Sequence, residues 1–129
     1  MFKLSFSLNS ADLLPIEEVC DQLLKSGYSG VELSFQHGQF DPFSISEARV
    51  EELRCYFARA LIKPVCISTA TTKFLSSVPH EPSLINIQEK NRAHRATLIG
   101  YGIALAEKIG VPLVSFQSGY LRDELGVPL

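Results

Sequence analysis

The chain has 129 residues, enough for one domain at most, taken here as a single α/β unit over residues 1–129. Apolar residues make up 46% and charged residues 20%, which excludes a disordered or membrane-embedded class. Twelve Lys+Arg against fourteen Asp+Glu leave a formal charge of -2, so no basic field exists to attract a nucleic-acid backbone.

Met1-Phe2-Lys3-Leu4-Ser5-Phe6 runs directly into apolar/polar alternation, without the basic stretch and long apolar run of a secretory signal. No window approaches 18 consecutive apolar residues, so no membrane span and no membrane partner is expected. A cytoplasmic location follows as the default. Cys20, Cys55 and Cys66 are widely spaced and form no CxxC pair, so each reads as a small buried hydrophobe, with Cys66 near a strand end as the one candidate reactive thiol.

Residues 3–8 alternate, with Leu4, Phe6 and Leu8 on one face and Lys3, Ser5 and Ser7 on the other, which predicts a strand. Asn9-Ser10-Ala11-Asp12 reads as a loop. Pro15 suits a first helical turn, Glu17 and Glu18 favour a helix N-terminus, and Ile16, Val19, Cys20, Leu23 and Leu24 form one apolar stripe ended by Gly27. A second strand alternates Val31, Leu33 and Phe35 with Glu32, Ser34 and Gln36. The loop His37-Gly38-Gln39-Phe40-Asp41-Pro42-Phe43 follows.

Ser44 with Glu47 three residues on reads as a capping box for a second helix carrying Val50, Leu53, Phe57 and Leu61. Pro64 stops it, and Val65-Cys66-Ile67-Ser68 reads as a short third strand. Residues 69–83 are polar, hold two prolines and lack periodicity; a loop of that length is usually functional or disordered. A third helix is expected over 85–109 with Ala96, Ile99, Ile103, Ala106 and Ile109 on its buried face. Gly100 and Gly102 weaken it by about 1 kcal/mol each relative to Ala. Leu113-Val114-Ser115-Phe116-Gln117 reads as a fourth strand, and an apolar tail ends in Val127-Pro128-Leu129.

The order βαβαβαβ implies a parallel sheet with right-handed crossovers. Central strands of a flavodoxin-like open sheet are covered on both faces and read as continuous apolar runs. Three of the four strands here alternate instead, leaving Ser5, Ser7, Glu32, Ser34, Gln36, Ser115 and Gln117 on one side. A barrel strand tolerates this, because its inner face can be polar near a site. Half of a (β/α)8 TIM barrel, with four strands and three helices, is therefore the expected fold, and a small flavodoxin-like open sheet is the alternative.

Specific words then carry a family likeness. Gly27-Tyr28-Ser29-Gly30-Val31-Glu32-Leu33 resembles the Gly-aromatic-x-Gly-Val-Glu-Leu second strand of the xylose-isomerase-like barrels, the sugar (phosphate) isomerases and epimerases. Arg92 followed by Leu105-Ala106-Glu107-Lys108-Ile109-Gly110-Val111-Pro112 is similar to that family's third helix. The ordered likeness runs from Lys3 to about Gly119. It implies a barrel about twice this long and a role in carbohydrate metabolism. The reaction would be metal-assisted proton transfer next to a carbonyl, with a divalent cation such as Mn, Mg, Zn or Co. That metal is usually held by Glu, Asp, His and Glu on later strands, so the resemblance implies no ligands in this chain and leaves autonomous activity doubtful. The catalytic residues stay unknown.

Candidate pocket residues lie where barrel sites lie, at the C-terminal ends of the strands. Glu32 points opposite Val31 and Leu33, either as a hydrogen-bonded strut or as a group near substrate. Gln36 shares its face. His37, in a Gly-flanked loop, is a solvated side chain or a ligand contact. Asn9 is a hydroxyl donor or an Asx-type cap. Thr69, Thr71 and Lys73 open the long loop, as a lid over a sugar or phosphate or as ordinary polar surface, and Gln117 ends the fourth strand. His80 and His94 read as surface residues, and Glu89, Lys90, Arg92 and Arg95 as a solvated helix face. Gly100-Tyr101-Gly102 lies within a helix and is no nucleotide fingerprint.

Four strands of a barrel leave two open edges, which template pairing with another chain. The expected partners are a second copy of the chain, as a homodimer, or a separate C-terminal half-barrel chain. A small sugar or polyol is the expected ligand. A non-catalytic binding or assembly subunit that completes a barrel is the alternative reading.

Overall fold

The apolar halves of the alternating strands need a helix layer on one side only, and the sheet is wound accordingly. The computed structural model describes residues 3–11 and 14–119; Asp12 of the first expected loop and the tail from residue 120 lie outside the described residues. Four strands, β1 (Ser5–Ser7), β2 (Gly30–Ser34), β3 (Lys63–Ser68) and β4 (Val114–Ser115), alternate with α1 (Ile16–Lys25), α2 (Glu47–Arg59) and α3 (Glu89–Ile109). All pairings are parallel, in the order β1-β2-β3-β4.

That order decides between the two expected folds. A flavodoxin-like sheet reverses its strand order and places helices on both faces. Sequential order with crossovers of one hand keeps every helix on the same face, as in a barrel. The chain is thus an α/β half of a (β/α)8 barrel, and the open-sheet alternative is set aside.

Register sorts the side chains. Phe6 pairs with Val31, Leu33 with Ile67, and Ile67 with Val114, forming the row under the helices. Val31, Leu33 and Ile67 are fully buried there. Ser7 pairs with Glu32 and Glu32 with Cys66, while Ser34, Ser68 and Ser115 form a second row on the opposite, inner face. β3 starts earlier than expected and includes Pro64. A register shift next to Val31 leaves Val65 without a partner, and proline, which cannot donate to a ladder, is at home at such a bulge. The bulged Val65 lies over Gly30, where a Cβ would come within 3.0 Å of its Cγ1.

α1 buries Ile16, Val19, Cys20 and Leu23 as its stripe predicts, whereas Leu24 at the stripe's margin stays 38% exposed. Burial pushes the Cys20 thiol up to about 12, the state of an inert core group. α2 corrects two expectations. Its cap is Ser46, whose Oγ accepts from Arg49 N at 3.1 Å, not Ser44 with Glu47. It ends at Arg59, so Leu61 falls outside it and is 78% exposed.

α3 starts at Glu89, four residues later than expected, and its buried face is rotated by about one residue. Arg95, Leu98, Gly102, Leu105, Ala106 and Ile109 face inward, while Ala96 and Ile103 are exposed. Gly102 sets the close approach: a Cβ there would lie 2.6 Å from Thr69 Cγ2. β1 is shorter than expected, with Leu4 half exposed and Leu8 buried in a single 3-10 turn (Leu8–Ser10). β2 and β4 likewise stop short, at Ser34 and Ser115. Among the described residues no helix is long and apolar enough to cross a membrane.

Candidate functional site

The inner face near the strands' C-terminal ends is where this winding brings polar side chains together. Ser7, the last residue of β1, donates through Oγ to Glu32 Oε1 at 2.7 Å, and its Oγ lies 3.2 Å from Ser34 Oγ. Ser34 is 2% exposed, whereas Ser7 is open and Glu32 half-buried. Glu32 therefore has one hydroxyl partner and an accessible side. A carboxylate fixed by one hydrogen bond, beside a row of three serines, can accept from and orient the hydroxyls of a small polar molecule. Cys66 stands in the same row as Glu32, half-buried.

The other candidates divide between anchors and rim. Gln36 is buried at 6% exposure and donates through Nε2 to Leu8 O at 2.6 Å, fastening the turn after β1; its Oε1 has no partner among the described residues. Asn9 sits exposed in that turn, which is capped by Ser7 rather than by its own side chain. Thr69 is turned toward the helix layer, 1% exposed, with Oγ1 donating to Ser115 O. Thr71 Oγ1 donates to Phe35 O. Lys73 and Gln117 are exposed at the rim.

His37 is exposed but not solitary. Nδ1 is 2.9 Å from Asp41 Oδ2, Nε2 is 3.0 Å from Phe74 O, and the ring stacks on Phe74 at 4.3 Å. The Asp41 hydrogen bond holds its pKa above the ordinary histidine value. His94 is exposed as expected, but His80 is half-buried in the long loop at φ 59.

Arg95 overturns its reading as a solvated helix residue. It is 2% exposed, and its guanidinium donates to Pro82 O (2.9 Å), His80 O (3.1 Å) and Thr69 O (3.3 Å). Burial lowers its pKa. The long polar loop after β3 is thereby laced to α3. Arg92 plays a smaller part, donating to Asn86 O and Ile87 O just before the helix. Neither role leaves a side-chain signature, because the acceptors are backbone carbonyls.

Both edges of the sheet carry bare apolar surface. Beyond β1, the exposed Leu14 and half-buried Phe6 line a groove of about 500 Å³ on the helix side, together with Val19 and Leu23, which are themselves largely buried. Beside β4, Leu113 and Phe116 are 63% and 56% exposed, and Ile103 on α3 is 58% exposed. A groove of about 610 Å³ lies at the opposite end of the strands, around Lys63, Pro64 and Gly110. Its place at the N-terminal ends, where barrels carry stability rather than chemistry, sets it apart from the polar cluster.

Among the described residues no group of three or more His, Cys, Asp or Glu comes together to hold a metal ion. These residues alone do not fit the divalent cation that the family likeness implies.

No protein-family model matches the chain, and no curated protein matches it. Among solved structures, the crystal structure of the IolI protein with a bound zinc atom superimposes on 95% of this chain with a TM-score of 0.66 at 17% identity. At that identity the likeness concerns the fold. The chain spans 41% of the length of that protein.

Proposed function

We propose that these four strands form the first half of the pocket wall of a sugar or sugar-phosphate isomerase/epimerase-like protein. Proton transfer next to a carbonyl would then depend on metal ligands carried by strands other than these four. The observation that carries this reading is the hydrogen-bonded cluster of Ser7, Glu32 and Ser34 on the one face without helices, near the strands' C-terminal ends. In this reading Ser7 orients the Glu32 carboxylate, Ser68 and Ser115 offer hydroxyls to a polyol, Gln36 fastens the turn after β1 beneath them, and His37, Lys73 and Gln117 stand at the rim. A cytoplasmic location accords with a small-molecule metabolic role.

The bare apolar edges support completion by another half-barrel, either a second copy or a separate chain. Light scattering of the purified chain over a concentration series tests the first option. Reversible dimerisation weakened by Phe6→Glu is expected if two copies close eight strands. A monomer at all concentrations removes the homodimer and leaves completion by other strands, or a self-contained small domain.

A second reading is a non-catalytic binding or assembly subunit, supported by the exposed Leu113 and Phe116 beside the β4 edge. Ketoses and their phosphates with Mn²⁺ separate the two. Ligand-induced stabilisation without turnover by the chain alone fits either reading, and turnover gained only with a complementing half favours the enzyme. Robust turnover by the isolated chain would contradict the placement of the metal ligands elsewhere.

A further inference from the structure

We propose that His37 is a pH-dependent latch: protonated, it ties the loop after β3 to the loop after β2, and on losing its proton it keeps its one N–H on the Asp41 carboxylate and releases the Phe74 carbonyl. This goes beyond the pocket reading and stands without it.

The geometry selects the protonation state. The ring nitrogens face the Asp41 carboxylate at 2.9 Å and the Phe74 carbonyl at 3.0 Å. Both partners are acceptors only. An imidazolium donates to both at once. A neutral imidazole has a single N–H, so one nitrogen lone pair must then face an oxygen. The near-parallel stack on Phe74, at 12°, adds the attraction of a cation for an aromatic face, which also vanishes on deprotonation.

What the latch holds is specific. Phe74 is the buried anchor of the loop, 5% exposed and packed against Phe35 at 5.9 Å. Phe43, from the loop after β2, stacks on it at 6.0 Å, and Asp41 Oδ1 accepts from Phe43 N at 2.9 Å. The ties that Arg95 and Thr71 make to the long loop come from donors that do not titrate near neutrality. His37 is a tie whose proton changes over the physiological range. The charged and titratable groups around it include Asp41 on its own loop, Lys73 next to Phe74 and His80 bonded to Thr72 O in the facing loop, and His94 on α3, which reaches Phe43 at 6.4 Å.

The sign follows from the direction of the shift. Asp41 raises the folded-state pKa of His37 above its ordinary value. The latch is fully set below the ordinary histidine value and is lost as pH rises through the raised one.

The test is amide hydrogen exchange on the full chain from about pH 5.5 to 9, corrected for intrinsic rates. It is run beside an NMR titration of the His37 ring. The Phe74 and His80 amides, bonded to Thr71 O and Thr72 O, report on the loop. Their protection is expected to fall by about 2- to 10-fold as His37 deprotonates, the worth of one hydrogen bond. The same fall should remain in His94→Gln and disappear in His37→Gln, whose amide does not titrate. A His37 titration at or below the ordinary histidine value overturns the proposal, as does an unchanged pH dependence in His37→Gln.

Discussion

The two faces of the sheet obey different rules. On the helix side Val31, Leu33, Phe35 and Ile67 are all fully buried, and Thr69, the one polar residue in line with them, packs its methyl against Gly102. On the other side the same strands present Ser7, Glu32, Ser34, Cys66, Ser68 and Ser115. Burial of apolar area holds the outer face together and fixes the register, because a one-residue slip would exchange the faces. The inner face contributes little to that term and is free to carry polar groups, so chemistry can change there without unfolding the chain.

The largest expected effect breaks the outer face. Leu33→Ala removes a fully buried side chain and should destabilise the chain by about 2–5 kcal/mol in urea unfolding, through lost transfer energy plus a cavity. Glu32→Gln, its immediate neighbour on the other face, should change stability by less than about 1 kcal/mol, since it keeps an acceptor for Ser7 and relieves no buried strain. Equal losses from the two variants would mean that the inner face is a core as well.

Arg95→Ala should come next. It leaves the carbonyls of Thr69, His80 and Pro82 without their guanidinium and should cost about 3 kcal/mol, with the loss of protection concentrated in residues 69–88. A smaller effect, with opposite signs at two neighbouring positions, tests the contact between α3 and the sheet. A Cβ on Gly102 would strike Thr69, whose hydroxyl is bound to Ser115 O and cannot swing away. Gly102→Ala should therefore destabilise by about 1–3 kcal/mol despite its better helix propensity. At Gly100 a Cβ meets open space, so Gly100→Ala should stabilise by about 0.5–1 kcal/mol. Two substitutions of the same kind, two residues apart, thus read which face of α3 meets the strands.

The same helix shows what could be read from residues alone and what could not. Period-2 alternation placed Val31, Leu33 and Glu32 on their correct faces, and the stripe of α1 was legible because its opposite side is charged. α3 is apolar on more than one side. The run Ala96, Ile99, Ile103 looks like a buried face, whereas the face that meets the sheet includes an arginine and a glycine. Propensity counts both against burial; only the carbonyls of a distant loop and the methyl of Thr69 explain them. Ile103 is 58% exposed, so the apolar stripe that runs through it is not the face that meets the sheet. At the candidate site, Glu32 was visible from alternation and His37 from its place in a Gly-flanked loop after β2, but the pairing of His37 with Asp41 was not read from the sequence. The pairing of His37 with Phe74 joins two loops and has no local signature.

Charge on the outer layer includes a pair across the seam between α1 and α2, and its small worth sharpens the contrast. Arg49 on α2 grips Glu17 on α1 with two parallel bonds, at 2.6 and 2.8 Å, and touches Glu52 at 3.2 Å. The Arg49 hydrogen bond is the main reason that the Glu17 carboxyl lies below its ordinary value of 4.5. A depressed folded-state pKa gives stability that is present above the ordinary value and lost as pH falls through the depressed one. Both side chains remain about 30% exposed, so solvent screening holds the pair to about 1 kcal/mol or less. Glu17→Gln should therefore be less stable than the parent by that amount at pH 7 in low salt. The two should converge as pH falls below the ordinary carboxylate value through the depressed one, and also in about 1 M salt, where the Debye length falls to a few ångströms. A gap that survives both acid and salt would mean that Glu17 acts through packing of its stem between α1 and α2 rather than through its charge.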